Sequence, residues 1–97
     1  MLRITESSNT PERVELKVEG WLSGADVDLL EQEMTHRVSE LRPTVLDLSN
    51  TRFIDEKGIR LLQHWAGKSV RLGRASAFVQ ELLRSHGLAY AGETDGA

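Results

Sequence analysis

The chain has 97 residues, of which 39% are hydrophobic and 28% charged, with a net charge of −3 and no cysteine. This length predicts one domain with a single modest core. The lack of cysteine excludes disulfides, thiolate metal sites and thiol catalysis, and the acidic excess argues against a nucleic-acid partner, which requires a basic face. No stretch approaches the roughly 18 apolar residues of a membrane span. The N-terminus lacks the apolar run of a signal peptide, so we expect a cytoplasmic protein without direct membrane insertion.

The beginning of the chain predicts an antiparallel hairpin. Residues 2–5 form a candidate edge strand, and residues 7–11 are turn formers that indicate a loop. Apolar and charged side chains alternate from Val14 to Glu19, which is typical of a half-buried strand.

A helix is expected next. The Gly-Trp-Leu-Ser-Gly segment at 20–24 breaks the strand, and Ser23 followed by Asp26 resembles a variant capping box. Pro43 stops the helix near residue 41. The apolar residues of this helix are spaced by three and four positions, which places them on one face: Val27, Leu30, Met34, Val38 and Leu41.

The second half of the chain alternates strands and helices. Residues 44–48 are mostly apolar, which indicates a parallel strand buried on both faces, and residues 69–73 predict another strand. One helix is expected over residues 59–65, ended by Gly67, and another after Ser76, which can cap it.

The last helix is expected to end with Gly87 in the left-handed conformation and Leu88 packing back on it. Residues 89–91 are a candidate for a very short strand. The order of elements predicts an α/β fold, with a small, mixed, mostly parallel sheet of about four strands flanked by three helices. We expect residues 1–92 to form the domain and residues 93–97 to be a disordered tail.

The sequence contains no recognisable catalytic constellation. The three histidines are far apart, and none lies four residues from another, so metal-ligand spacing is absent. The Ala-Gly-Lys-Ser segment at 66–69 resembles the end of a P-loop, but position 62 is leucine and the segment follows a helix instead of preceding one. No G-x-S-x-G nucleophile elbow occurs. We therefore predict no enzymatic activity, no metal and no cofactor.

Two interpretations of Trp21 are open. Its ring either covers the core or stays exposed as an anchor for a protein partner, since tryptophan is enriched at interaction hot spots.

Residues Asp55, Glu56, Lys57 and Gly58 form an acidic turn that begins the middle helix. Asp55 can cap this helix through its carboxylate, and Glu56 falls where the helix dipole favours negative charge. Gly58 lowers helix propensity by about 1 kcal/mol relative to alanine, which indicates that another backbone or a partner comes close. A well-capped helix start and a contact site both fit this pattern. Loops after parallel strands often carry ligands, which slightly favours the contact site.

The segment from Val45 to Ile59 resembles the signature of the STAS domain, the family of bacterial anti-sigma-factor antagonists and of the cytoplasmic tails of sulphate transporters. Upstream, the Gly-Trp-Leu at 20–22 lies where that family has Gly-x-Leu. Downstream, the His-Gly-Leu at 86–88 matches its usual Ser-Gly-Leu. The resemblance covers about residues 1 to 90. It implies a small sheet flanked by helices and a non-catalytic domain that binds a protein partner, commonly a serine kinase that is also an anti-sigma factor.

In the family, that kinase phosphorylates the first hydroxyl residue after the motif aspartate, which corresponds to Asp55. Here Glu56 occupies the phosphosite position, and Lys57 stands where a second hydroxyl residue is usual. The resemblance therefore implies that phosphorylation cannot act at position 56. Glu56 brings one negative charge where a phosphate brings about −1.5 to −2, so it is at best a weak phosphomimic. Ser49 and Thr51 are candidates for a displaced phosphosite.

We predict a bacterial signalling module for transcription regulation, whose protein partner contacts the start of the middle helix and the loop before the first: Asp55, Glu56, Lys57, Gly58, Ile59, Arg60, Trp21 and Ser23. The partner implied by the resemblance is an anti-sigma-factor serine kinase. STAS-like proteins without a phosphosite also resemble the small cytoplasmic subunit of bacterial lipid-transport ABC complexes, which makes an ATPase subunit the alternative partner. Nucleotide binding is a third and less favoured hypothesis, because of the negative net charge and the missing P-loop.

Overall fold

A computed structural model describes residues 1–37, 42–66 and 68–90 of the chain. Within these residues, five strands and three helices follow one another in the order β1 (Leu2–Asn9), β2 (Val14–Leu22), α1 (Ala25–Arg37), β3 (Thr44–Leu48), β4 (Thr51–Ile54), α2 (Glu56–Trp65), β5 (Val70–Ala75) and α3 (Ala77–Ser85).

The strands form one mixed sheet in the order β1-β2-β3-β5, with β4 paired to β2. β1 and β2 make the predicted antiparallel hairpin, and the remaining pairs are parallel. β3 pairs with the first half of β2, from Val14 to Lys17, and β4 pairs with the second half, from Gly20 to Leu22. β3 and β4 therefore lie end to end along the same side of β2, with the Ser49–Asn50 turn between them.

One face of the sheet carries the core. Alternate residues of β2 and β3 point into it, and side chains from all three helices join the same buried cluster, so the helices cover this face. The opposite face carries half-buried Glu15, Lys17 and Asp47 and the exposed side chains of Arg71 and Arg74. The α/β class, the hairpin and the parallel pairing are thus confirmed.

Two strands are longer than the sequence predicts. The segment 7–9, expected as loop, continues β1, because Ser8 and Asn9 pair with Glu15 and Val14 beyond a bulge. The segment 20–22, expected to end β2, continues it, because Gly20 takes a φ of +101° that a side chain rarely adopts and then pairs with Thr51.

β4 is absent from the predicted elements, so the sheet has five strands and not about four. The sequence Thr-Arg-Phe-Ile follows two turn residues and begins with a polar side chain, which hides its strand character. Thr51 is nevertheless fully buried, and its hydroxyl donates to the Val18 carbonyl at 2.7 Å. A hydrogen-bonded threonine can lie in a core because its polar group is satisfied.

The helix ends also differ in part from expectation. The Ser76 hydroxyl donates to the Thr51 carbonyl at 2.6 Å and makes no capping hydrogen bond to α3. At the start of α1, the Asp26 N–H donates to the Ser23 carbonyl. Among the described residues, the Ser23 hydroxyl does not accept from the Asp26 N–H, and the Asp26 carboxylate does not accept from the Ser23 N–H, so the predicted capping box is not formed.

The end of α3 is confirmed. Gly87 has a φ of +72°, and the N–H of buried Leu88 donates to the Leu83 carbonyl at 2.8 Å. Ala89 and Tyr90 are not in a strand. The expectations for Val38, Leu41, Gly67 and residues 91–97 lie outside the described residues.

Candidate functional site

The Asp55 carboxylate joins the beginnings of two helices. As the N-cap of α2 it accepts a hydrogen bond from the Gly58 N–H through Oδ1 at 2.8 Å. Its Oδ2 accepts another from the Gly24 N–H, directly before α1, at 3.0 Å. The predicted cap is confirmed, and the second contact fixes the loop after β2 against the turn before α2.

The pKa of Asp55 lies below the usual value for an aspartate. Partial burial by itself raises this pKa, but the hydrogen bonds from the Gly24 and Gly58 N–H groups and the nearby Lys57 charge together outweigh it. The carboxylate is therefore ionised at neutral pH, and the ionised form accepts the two N–H bonds more strongly than the neutral acid would.

Gly58 is where α2 approaches β2. A Cβ at this position would lie 2.7 Å from Cγ2 of Ile54 and 2.9 Å from the Leu22 carbonyl oxygen. The close backbone expected at Gly58 thus belongs to this chain itself. Ile59 follows it into the core. These two predicted contact residues are inside the protein, where they hold the turn in position.

The exposed side chains of the turn are paired with each other or with α1. Glu56 and Arg60 form an ion pair one helical turn apart, with 73% and 71% of their side chains exposed. Lys57 Nζ lies 3.1 Å from the exposed Asp28 carboxylate of α1. The charge of Glu56 is therefore partly neutralised by Arg60, and the turn presents mixed charges to solvent instead of a concentrated negative charge.

The two candidate hydroxyls near the turn differ in accessibility. Thr51 is fully buried with its hydroxyl engaged, so a kinase cannot reach it in the folded protein. Ser49 is half-buried in the turn between β3 and β4, where its N–H donates to Asp47 Oδ1 at 2.9 Å.

Trp21 is exposed, with 55% of its surface accessible, and does not cover the core. Its ring lies 5.9 Å from that of Phe53, which stacks at 6.2 Å on the ring of Phe78. We call these three residues the aromatic ridge. Phe78 is also 53% exposed. The predicted contact residue Ser23 is half-buried next to Gly24.

Sequence reasoning missed Phe53 and Phe78. Phe53 lies in β4, which was not predicted, and Phe78 is in the first turn of α3, far along the chain. The sequence offered one hint of Phe53: the apolar Phe-Ile pair at 53–54 follows the polar Thr-Arg pair, which is compatible with a short strand.

Two open clefts lie beside the ridge. The first, of about 650 Å³, is lined by Trp21, Phe78, Glu19 and Arg52, with the Ser49–Asn50 turn forming part of its wall. The second, of about 460 Å³, runs between α2 and α3 and is lined by Phe53, Ile59, Leu82 and the polar residues of α2.

Within the described residues there is no group of three or more His, Asp or Glu side chains that could hold a metal ion. None of the helices found there has the length and apolar character needed to cross a membrane.

A small mixed sheet covered by helices, with an acidic cap at the start of α2, is the architecture that the sequence signature implied, and the described residues add a fifth strand to it. Residues 6–90 match the family model described as Mlab, STAS domain. The chain belongs to the STAS domain family.

Among solved structures, the chain is similar to the anti-sigma factor antagonist SpoIIAA in its unphosphorylated form. The TM-score is 0.69 with 14% sequence identity, over 97% of this chain and 92% of that one. At this identity the likeness shows the fold alone, and it confirms the expected STAS fold. No curated protein matches the chain.

Replacing Asp55 with asparagine should lower the free energy of unfolding at pH 7 by about 1–3 kcal/mol, because the amide nitrogen cannot accept the second N–H bond. Since the folded-state pKa is depressed, the carboxylate stabilises the fold above the ordinary aspartate pKa of about 4, and this contribution is lost as the pH falls through the folded-state value. Urea unfolding of both proteins from pH 7 down to pH 3 measures the difference.

Asp28→Asn is the matched control for this prediction. Asp28 is exposed and makes only the surface ion pair with Lys57, so its loss should cost less than about 1 kcal/mol. An Asp55→Asn protein as stable as the wild type, or a difference that does not shrink at low pH, would contradict the role of the carboxylate.

Proposed function

We propose that this STAS domain is a non-catalytic protein-binding module. The observation that carries the proposal is the turn at the start of α2, where Glu56, Lys57 and Arg60 extend into solvent from a backbone held by Asp55. A backbone fixed in this way loses little conformational entropy when a partner binds.

The exposed Trp21 supports the same proposal. It lies in the segment leading to Ser23 and Gly24, and the Gly24 N–H is tied to the Asp55 carboxylate. The charged turn and an aromatic anchor are therefore parts of one surface. An exposed tryptophan beside mixed charges is typical of an interaction hot spot with a polar rim.

We further propose that phosphorylation at position 56 does not control binding. Glu56 has no hydroxyl, and its carboxylate is paired with Arg60, so it does not reproduce the charge of a phosphate. On this proposal, binding is constitutive with respect to this turn.

The proposed partner is an anti-sigma-factor serine kinase, with the chain acting in the bacterial cytoplasm as a regulator of transcription. The similarity of the chain's fold to that of the anti-sigma factor antagonist SpoIIAA supports this choice. A second candidate is the ATPase subunit of a lipid-transport ABC complex. The lack of a hydroxyl at positions 56 and 57 favours it, because a permanent subunit needs no phosphorylation switch. Nucleotide binding has the least support.

Reversing two charges of the turn, Lys57→Glu with Arg60→Glu, should weaken partner binding by about tenfold or more, because both side chains lie on the proposed contact surface. The tagged wild type is used to purify its partner from the source organism, and the affinity of each variant for that partner is measured by calorimetry. Recovery of a transporter ATPase would favour the second candidate, and a kinase-like ATPase the first.

Arg71→Glu is the control, since it reverses an exposed positive charge on the sheet face opposite the helices, away from the turn. If the double variant and the control both bound the partner with the affinity of the wild type, the proposed contact surface would be contradicted.

Incubating the complex with ATP and the partner should leave the complex intact, with no phosphate added to the chain. The same treatment of a Glu56→Ser variant, which restores a hydroxyl at the family phosphosite, should add one phosphate if the partner is a serine kinase. Intact-protein mass spectrometry measures both. Phosphate on Ser49 of the wild type, accompanied by dissociation, would contradict constitutive binding.

A further inference from the structure

The aromatic ridge is an unusual surface for so small a chain. The chain has five aromatic residues, two Trp, two Phe and one Tyr, and the ridge gathers three of them. Trp21 and Phe78 remain more than half exposed although both contact Phe53. Neighbouring exposed apolar side chains of this kind make the ridge a candidate interaction surface.

The same surface also has a recess. Trp21 and Phe78 line the open cleft of about 650 Å³, together with Gly20, small polar residues such as Asn50 and Ser76, and two charged residues. This volume falls within the range of pockets that enclose drug-sized ligands, roughly 300–1,000 Å³, so it has room for an aromatic side chain from outside. Projecting rings and a recess that can receive a ring therefore lie side by side.

Two opposite charges line this cleft. Glu19 is on β2 and Arg52 on β4, and neither makes an ion pair with any of the residues that the structure describes. This sets them apart from Glu56 and Lys57 of the neighbouring turn, which both have partners. A surface that offered an anion to Arg52 and a cation to Glu19 would complement both charges.

We propose that the aromatic ridge and its cleft bind a second copy of this chain in a two-fold symmetric dimer. In such an interface one surface meets itself, so it must carry both members of every contact. This surface does so, because a ring of one copy can enter the cleft of the other, and Arg52 of each copy can face Glu19 of its mate. The proposal does not rest on the proposed partner, although dimer and partner would compete for Trp21.

The first test is the mass of the chain by sedimentation equilibrium over concentrations from about 10 μM to about 1 mM. The wild type should reach twice the monomer mass. Phe78→Ser should weaken the dimer by about tenfold or more, because it removes an exposed apolar contact. Leu29→Ser is the matched control, since Leu29 is an equally exposed apolar residue on α1, and it should leave the dimer unchanged.

The second test exchanges the charges. Glu19→Arg and Arg52→Glu should each weaken the dimer by about tenfold, because each places like charges opposite each other across the axis. An equal mixture of the two single variants should dimerise like the wild type, since every contact between unlike copies is again between opposite charges. A Glu19–Arg52 pair within one chain could not be restored by mixing, so the mixture shows that the contact is between copies.

Circular dichroism of each variant shows whether it is folded, so loss of the dimer can be told apart from loss of the fold. A wild type that stays monomeric at about 1 mM would overturn the proposal. A dimer unaffected by Phe78→Ser, or single charge variants that do not recover on mixing, would overturn this surface as the interface. None of these measurements involves the partner, so their failure would leave the proposed function standing.

Discussion

The Asp55 carboxylate is the contact on which the arrangement of this domain depends. It stands at the end of β4 and binds the N–H groups of Gly24 and Gly58, which precede or begin α1 and α2. Helix N-termini carry unsatisfied N–H groups and a partial positive charge, so one ionised carboxylate can satisfy both at once. Neighbouring contacts reinforce the junction, since the Asp55 N–H donates to the Leu22 carbonyl at 3.1 Å.

This junction determines which residues are available to another molecule. It draws Gly58 and Ile59 inward against Leu22 and the core. The side chains on the other face of the same helical turn point outward. Glu56, Lys57 and Arg60 then form a fixed surface of mixed charge next to Trp21. Glu56, which the resemblance aligns with the family's phosphosite, is part of this surface, and its carboxylate has an ion-pair partner in Arg60. The fold of the family is thus retained, while Glu56 itself has no hydroxyl to phosphorylate.

Much of this frame could be predicted from local patterns. Short stretches of sequence were enough to predict four features: the alternating residues of β2, the apolar run of β3, the Asp55 cap and the end of α3 at Gly87. β4 was missed because its first buried residue is the polar Thr51, whose hydroxyl is satisfied by the distant Val18 carbonyl, a contact that the local sequence does not reveal.

The contacts that build the site could not be predicted from local patterns either. The bond between Asp55 and Gly24 joins positions 31 residues apart, and the aromatic ridge brings together strands and a helix that are distant in sequence. Such contacts exist only once the chain is folded. The family resemblance located the turn, but which of its residues are exposed and which are buried depends on the folded structure.

The central claim, that one carboxylate binds both helix starts, can be tested directly by NMR. The amide proton shifts of Gly24 and Gly58 are followed as the pH is lowered. Because both N–H groups bind Asp55, the two signals should move together with a single midpoint below the ordinary aspartate pKa of about 4. Two different midpoints, a Gly24 signal that does not move, or a shared midpoint at or above the ordinary value would contradict the account.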